Sequence, residues 1–165
     1  MKYPGRPRVL IADGHEHYRS GLVRAIATHP MLRLGAVADD GLVALSLILS
    51  ERPDVAVLDV RLAGLDGFAI SQRLSCEQPR PTTRVVLLAA VPDRAQRTRA
   101  LALGAVGPLS KDVSRWEICD AVITAWHAIA DGGVRSERGF GDRVPHSIDG
   151  RVRVTHERWP PSPSR

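Results

Sequence analysis

Three charged residues stand one step beyond apolar runs. Asp13 follows Arg8-Val-Leu-Ile-Ala12, Asp59 closes Pro53-Asp-Val-Ala-Val-Leu-Asp59, and Lys111 follows Ala105-Val-Gly-Pro-Leu-Ser110. A carboxylate at the edge of an apolar core costs free energy unless it has partners, so packing alone is a poor reason for Asp59. If the three runs are strands of one parallel sheet, their carboxyl ends share an edge and bring both acids and the ammonium together. Adjacent acids repel, and a cation between them relieves the repulsion; oxygen-only ligands at a shallow, wet cleft suit Mg²⁺. An Asp so placed is a nucleophile toward phosphorus, with the metal and Lys111 neutralising charge on the transferred group. Phosphoryl transfer is the chemistry this pattern points to.

The elements that must position these residues follow from apolar periodicity. Val55, Val57 and Leu58 are too few for a helix and are bounded by Pro53 and by Gly64 and Gly67, which predicts a buried parallel strand. Further strands are expected from Arg8 to Ala12, Leu32 to Ala38, Arg84 to Ala89 and Ala105 to Leu109. The last tolerates Pro108 only near an edge or at a strand end. Between them the spacing predicts helices. Tyr18, Leu22, Ala25 and Ile26 mark one apolar face of a helix closed by His29-Pro30. Asp39-Asp40-Gly41 supplies capping oxygens for a helix to about Ser50 that is apolar nearly all round, leaving Leu42, Val43 or Leu49 outward as a partner surface. A third helix runs from about Gly67 to Glu77, and a fourth starts at Pro92-Asp93 with the proline in its first turn and ends near Gly104. The fifth, about Val113 to Ala130, carries Ile118, Val122, Ala125 and Ile129 as one stripe and Cys119, Ile123, Trp126 and Ala130 as a second.

Five β–α units with right-handed crossovers give an α/β domain, a five-stranded doubly wound parallel sheet over residues 1–133. Residues 134–165 lack apolar periodicity and read as a disordered, Arg/Pro-rich tail. Cys76 and Cys119 are far apart, so neither a disulfide framework nor a metal cluster is indicated. No apolar run approaches the roughly 18 residues of a membrane span, and the amino terminus lacks a signal peptide's apolar core, so a cytoplasmic protein is expected. The net charge of +5 is weak evidence for DNA binding: residues 1–133 hold 16 Lys and Arg against 14 Asp and Glu, residues 134–165 hold 7 against 4. Lysine occurs only at positions 2 and 111, beside 21 arginines.

Val9-Leu-Ile-Ala-Asp13 with His15 and Arg19-Ser-Gly-Leu22, then Pro53-Asp54 through Gly67, then Gly104-Ala-Val-Gly-Pro-Leu-Ser-Lys111-Asp112 form an ordered set. Through them residues 8 to about 133 resemble a response-regulator receiver domain, in the branch that usually continues into a LuxR-type helix-turn-helix. The resemblance implies the flavodoxin-like (βα)5 receiver fold of two-component signalling. It also implies that Asp59 accepts a phosphoryl group from a histidine kinase, that Asp13, Asp59 and the carbonyl of Arg61 hold Mg²⁺, and that Lys111 contacts the phosphoryl oxygens. Such a domain is regulatory and not an enzyme beyond its own phosphoryl transfer and dephosphorylation. Three positions depart from the family pattern. Gly14 stands where a second acidic residue is usual, so Mg²⁺ should be held weakly. Ala89 replaces a Ser or Thr hydroxyl, and Pro108 replaces the aromatic whose rotamer reports the switch. Residues 134–165 are too short for the helix-turn-helix and show no recognition-helix pattern, so DNA binding by this chain is not expected.

Plainer roles compete for several residues. His15 and His17, two apart at a helix start, read as exposed caps before they read as metal ligands. Arg94, Arg97 and Arg99 read as a solvated face, and Trp116 and Trp126 as core or edge packing. The expected function is an atypical phosphorelay receiver with Asp59 as nominal acceptor. The alternative is a phosphorylation-independent pseudo-receiver acting as an interaction or homodimer module, through the last two helices or the apolar 42–49 helix. Lower stands a transcriptional regulator shortened of its DNA-binding half.

Overall fold

Alternation along the strands decides the architecture. In β1 (Arg8–Ala12) and β3 (Val55–Asp59), successive side chains enter opposite layers, and both layers are buried. Leu10, Ala12, Ala56 and Leu58 pack into one layer; Val9, Ile11, Val55 and Val57 into the other. Strands buried on both faces read as continuous apolar runs, which is why these segments show no polar alternation. The computed structural model describes residues 5–130, with side chains to residue 128. The tail expected at 134–165, and the side chains of Ile129 and Ala130, lie outside the described residues.

The five strands, completed by β2 (Arg33–Ala38), β4 (Arg84–Ala89) and β5 (Val106–Ser110), form one parallel sheet in the order β2-β1-β3-β4-β5. Helices α1 (Glu16–Thr28) and α5 (Arg115–Ala130) cover one face. Leu22, Ile26, Ile118, Cys119, Val122 and Ala125 enter that layer. Helices α2 (Gly41–Glu51), α3 (Gly67–Cys76) and α4 (Arg94–Ala102) cover the other, through Ala44, Ile48, Ile70, Leu74 and Ala100. The chain runs from β1 outward to β2, then back across to β3, so a crevice opens beyond the carboxyl ends of β1 and β3. Asp13 and Asp59 sit at that crevice.

Local chemistry sets the boundaries. Asp40 caps α2 by accepting from the N–H groups of Leu42 and Val43, and Asp66 caps α3 by accepting from Ala69. Two helix starts differ from expectation. Asp93 is the N-cap of α4, in a reciprocal box with Gln96, so Pro92 precedes the cap instead of occupying the first turn. Helix α5 starts at Arg115 and not near Val113, because Ser114 and Glu117 exchange side-chain-to-backbone hydrogen bonds there. Pro108 lies on an edge strand, where the β4–β5 register shifts between Val86 and Leu88. Gly107, at φ 98°, turns the chain there; a Cβ on it would lie 2.7 Å from the Leu87 carbonyl oxygen. As expected, Leu42, Val43 and Leu49 are exposed on α2. Trp116 is exposed too, with its ring 5.1 Å from that of His29.

Two predictions follow from this packing. Gly67 opens α3 directly under the end of β3, where an added Cβ would lie 2.6 Å from the Asp59 carbonyl oxygen and 3.1 Å from a Leu87 methyl. Gly67→Ala should lower the unfolding free energy by about 1–3 kcal/mol in urea titrations through overpacking. Burial, and secondarily Asp120, pushes the Cys119 thiol up from 9.0 to about 11. The folded state thus favours the neutral thiol: its contribution is complete below pH 9 and is lost as pH rises toward 11. That loss amounts to about 2–3 kcal/mol. Cys119→Ala, less stable at neutral pH, should show a shallower decline over that interval.

Candidate functional site

Parallel register brings the two acids level. Ala12 pairs with Leu58, so the next residues, Asp13 and Asp59, leave adjacent strands side by side. Both are buried, at 0% and 2% exposure. The Lys111 ammonium lies between them, 2.7 Å from Asp13 Oδ2 and 2.6 Å from Asp59 Oδ2, on a side chain 11% exposed. Its backbone is fixed by donating from N–H to the Ala89 carbonyl at 2.8 Å. The three residues singled out by type and position therefore converge. Buried charges of this kind persist only when paired.

Each carboxylate is also held from its own loop. Asp13 Oδ1 accepts from the His15 N–H at 2.8 Å, and Asp59 Oδ1 from the Arg61 N–H at 2.9 Å. Arg61, expected to offer its carbonyl, thus lies in the loop that grips Asp59. Asp13 Oδ2 has the ion-pair contact with Lys111 but no donor in hydrogen-bond alignment. A buried carboxylate oxygen with an unaligned lone pair fits a small divalent cation, and so do two adjacent carboxylates. At Gly14 an added Cβ would meet nothing nearer than the Asp39 carbonyl oxygen at 3.8 Å, so space does not forbid a side chain there. Ala89 is buried at the end of β4, with its side chain in the layer of α2, α3 and α4; Pro108 is buried two residues before Ser110.

Three residues around the site were not given this role by the sequence. His15, read as an exposed cap, is 73% exposed on its side chain yet places Nδ1 3.4 Å from Asp13 Oδ1, 3.7 Å from Asp59 Oδ2 and 3.4 Å from Lys111 Nζ. It does occupy the N-cap of α1, without a side-chain capping bond. The available signal was its spacing, two residues beyond Asp13. Tyr18, read as part of an apolar face, lies beneath the cations: Lys111 Nζ is 4.9 Å and the Arg115 guanidinium 3.9 Å from its ring centroid. Burial pushes the Tyr18 hydroxyl up to about 12, against the lowering effect of Arg115 and with help from Asp13, Asp59 and Asp112. Arg115 carried no signal in the sequence. Arg99, assigned to a solvated face, stands over the Phe68 ring at 4.5 Å.

A doubly wound sheet with an acidic crevice at its switch point, closed by a lysine from the last strand's end, defines a class of regulatory α/β domain. The chain belongs to the response regulator receiver domain family, whose model matches residues 9–123. The probable transcriptional regulatory protein NarL of Mycobacterium tuberculosis is 41% identical over 121 residues, which cover 73% of this chain and 55% of that protein. A protein-glutamate methylesterase/protein-glutamine glutaminase of Anaeromyxobacter dehalogenans is 38% identical over 104 residues, 63% of this chain and 30% of that protein. The solved signal receiver domain of the putative response regulator NarL from M. tuberculosis superposes with a TM-score of 0.69 at 38% identity, over 74% of this chain and 98% of that one. The chain spans about half the length, or less, of these curated relatives. Receiver domains are regulatory parts of two-component systems and interact with histidine kinases. Among the described residues no helix is long and apolar enough to cross a membrane.

Removing the ammonium should expose the repulsion it offsets. Lys111→Met should cost about 3–5 kcal/mol of stability at neutral pH, because it leaves two buried carboxylates without their cation. Adding Asp13→Asn to that chain should recover part of the loss. Equal urea midpoints for the single and double variants would show that the two carboxylates do not repel each other.

Proposed function

We propose that Asp59 is the phosphoacceptor of a two-component phosphorelay, charged by a histidine kinase. The observation that carries this reading is the Asp59 carboxylate itself: almost fully buried at a strand end, yet facing the crevice with Lys111 Nζ 2.6 Å from Oδ2. A carboxylate oxygen of Asp59 attacks phosphorus, the bond from phosphorus to the donor's imidazole nitrogen breaks, and the donor leaves with the electron pair. The Arg61 N–H fixes the carboxylate plane by holding Oδ1. Lys111 supplies positive charge where phosphoryl oxygens arrive, and Asp13 keeps that ammonium in place from the other side. A divalent cation held by Asp13, Asp59 and the Arg61 carbonyl would add neutralisation of the phosphoryl oxygens.

A second reading is favoured by Ala89. Its buried methyl offers no hydroxyl to a phosphoryl group, and Pro108 has no rotamer with which to report one. On this reading the domain is an interaction or homodimer module whose surface, including Leu42, Val43 and Leu49 on α2 and Trp116 on α5, works without phosphate.

One experiment separates the two. Incubation with a small-molecule phosphodonor and Mg²⁺ or Mn²⁺, followed by intact-mass measurement, should add one phosphoryl group to the wild type and none to Asp59→Asn. An unmodified wild-type mass, under conditions where an ordinary receiver reacts fully, would sink the phosphoacceptor reading and leave the module.

A further inference from the structure

The site contains a nitrogen ligand that neither the oxygen-only scheme nor the phosphoacceptor role uses. Asp13, His15 and Asp59 each offer one ligand atom, and the three atoms all lie within 4.8 Å of one another. Around one ion with bonds of about 2.1 Å, ligand atoms stand about 3.0 Å apart at right angles and about 3.4 Å apart in a tetrahedron. His15 Nδ1 stands 3.4 Å from Asp13 Oδ1 and 3.7 Å from Asp59 Oδ2, near those edges before any adjustment. Nδ1 also lies 3.4 Å from the Lys111 ammonium, and the neutral tautomer with its proton on Nε2 presents the Nδ1 lone pair to the crevice. Asp13 Oδ2, fully buried, has the Lys111 ammonium at 2.7 Å but no donor in hydrogen-bond alignment, which leaves a lone pair for a cation.

Charge decides which ion such a set favours. One ammonium against two carboxylates leaves a single net negative charge, and Gly14 adds none. A hard ion such as Mg²⁺, which relies on charge and oxygen and dehydrates reluctantly, gains little from it. Imidazole suits borderline transition ions. We propose that His15 is the third protein ligand of this centre, and that the receiver takes a borderline divalent transition-metal ion through an Asp-His-Asp set in place of the carboxylate that Gly14 lacks. This inference rests on the reading of the Asp59 crevice as a cation-assisted phosphoacceptor and names the cation class that crevice selects. The His15 side chain projects from the cap of α1 and is largely exposed, so its replacement leaves the core untouched.

Co²⁺ is the probe, because its visible spectrum changes with nitrogen ligation. Sites with nitrogen or carboxylate ligands generally favour Co²⁺ over Mg²⁺ to begin with, so the decisive quantity is the effect of one side chain on each ion. Calorimetric titrations of the full chain should show His15→Ala weakening Co²⁺ by about tenfold and leaving Mg²⁺ within about twofold, since only the first ion gains from imidazole. The Co²⁺ absorption band of the wild type should shift in His15→Ala and vanish in Asp59→Asn. Gly14→Asp should strengthen Mg²⁺ in the same titrations. Unchanged Co²⁺ affinity and spectrum in His15→Ala, or an equal loss for both ions, would overturn the proposal. Phosphoryl loading with Mg²⁺ in the face of that result would leave the phosphoacceptor reading standing. Cobalt bound through His15 with no phosphoryl loading under any cation would support the metal centre and refute that reading instead.

Discussion

Two buried carboxylates share one ammonium, and the rest of the domain is arranged so that they can. Asp13 and Asp59 are withdrawn from water at the end of an apolar sheet, where an unpaired charge costs several kcal/mol. Lys111 reaches both within 2.7 Å, but a single positive charge cannot neutralise two negative ones. The excess is spread onto backbone donors, the His15 N–H and the Arg61 N–H, each taking the oxygen that faces away from the lysine. The loops that follow β1 and β3 thus have an electrostatic reason for their conformation. What the pairing leaves over is one net negative charge and one misaligned oxygen, which is the condition for drawing in a further positive centre.

That arrangement depends on strand order. Asp13 and Asp59 are 46 positions apart in sequence and become neighbours only because β1 pairs directly with β3 while β2 is displaced to the edge. Lys111 arrives two strands further along, but its backbone N–H is caught by the carbonyl of Ala89 and its stem crosses back over β4. Tyr18 supports it from α1, and Arg115, donating to the Lys111 carbonyl at 3.5 Å, closes the stack from α5. The core layer formed by α1, α5 and the odd-numbered residues of β1 and β3 is thus continuous with the floor of the site.

The strands and both acids were legible because they are extremes of composition. A run such as Val55–Leu58 has no amphipathic alternative, and a carboxylate set at its end has no packing explanation. Lys111 was legible from its place one step past the last strand, to which its rarity in an arginine-rich chain added a little weight. His15 was not, because its backbone does what the sequence suggested and its side chain does something else; capping preference describes the first and says nothing of the second. Tyr18 was hidden likewise. Its ring serves an apolar face and its π-surface serves two cations, and periodicity registers only the ring. At α4 the rule that proline favours a first turn competed with the side-chain cap of Asp93, and the capping box fixed the boundary. The tail has no counterpart among the described residues.

The groups packed around Asp59 decide where charge added there would be felt. A conformational equilibrium is shifted only by contacts that differ between its states. β4 meets the site through the Ala89 carbonyl, which accepts from the Lys111 N–H at 2.8 Å, while the Ala89 side chain packs in the core layer of α2, α3 and α4. On the α1/α5 side the site ends in an ammonium, a tyrosine face and a guanidinium, all of which respond to charge. Added negative charge on Asp59 competes for the ammonium that Asp13 and Tyr18 now share, and it is felt first where those partners sit. The charged and aromatic groups packed around the Asp59 carboxylate therefore lie toward α1 and α5.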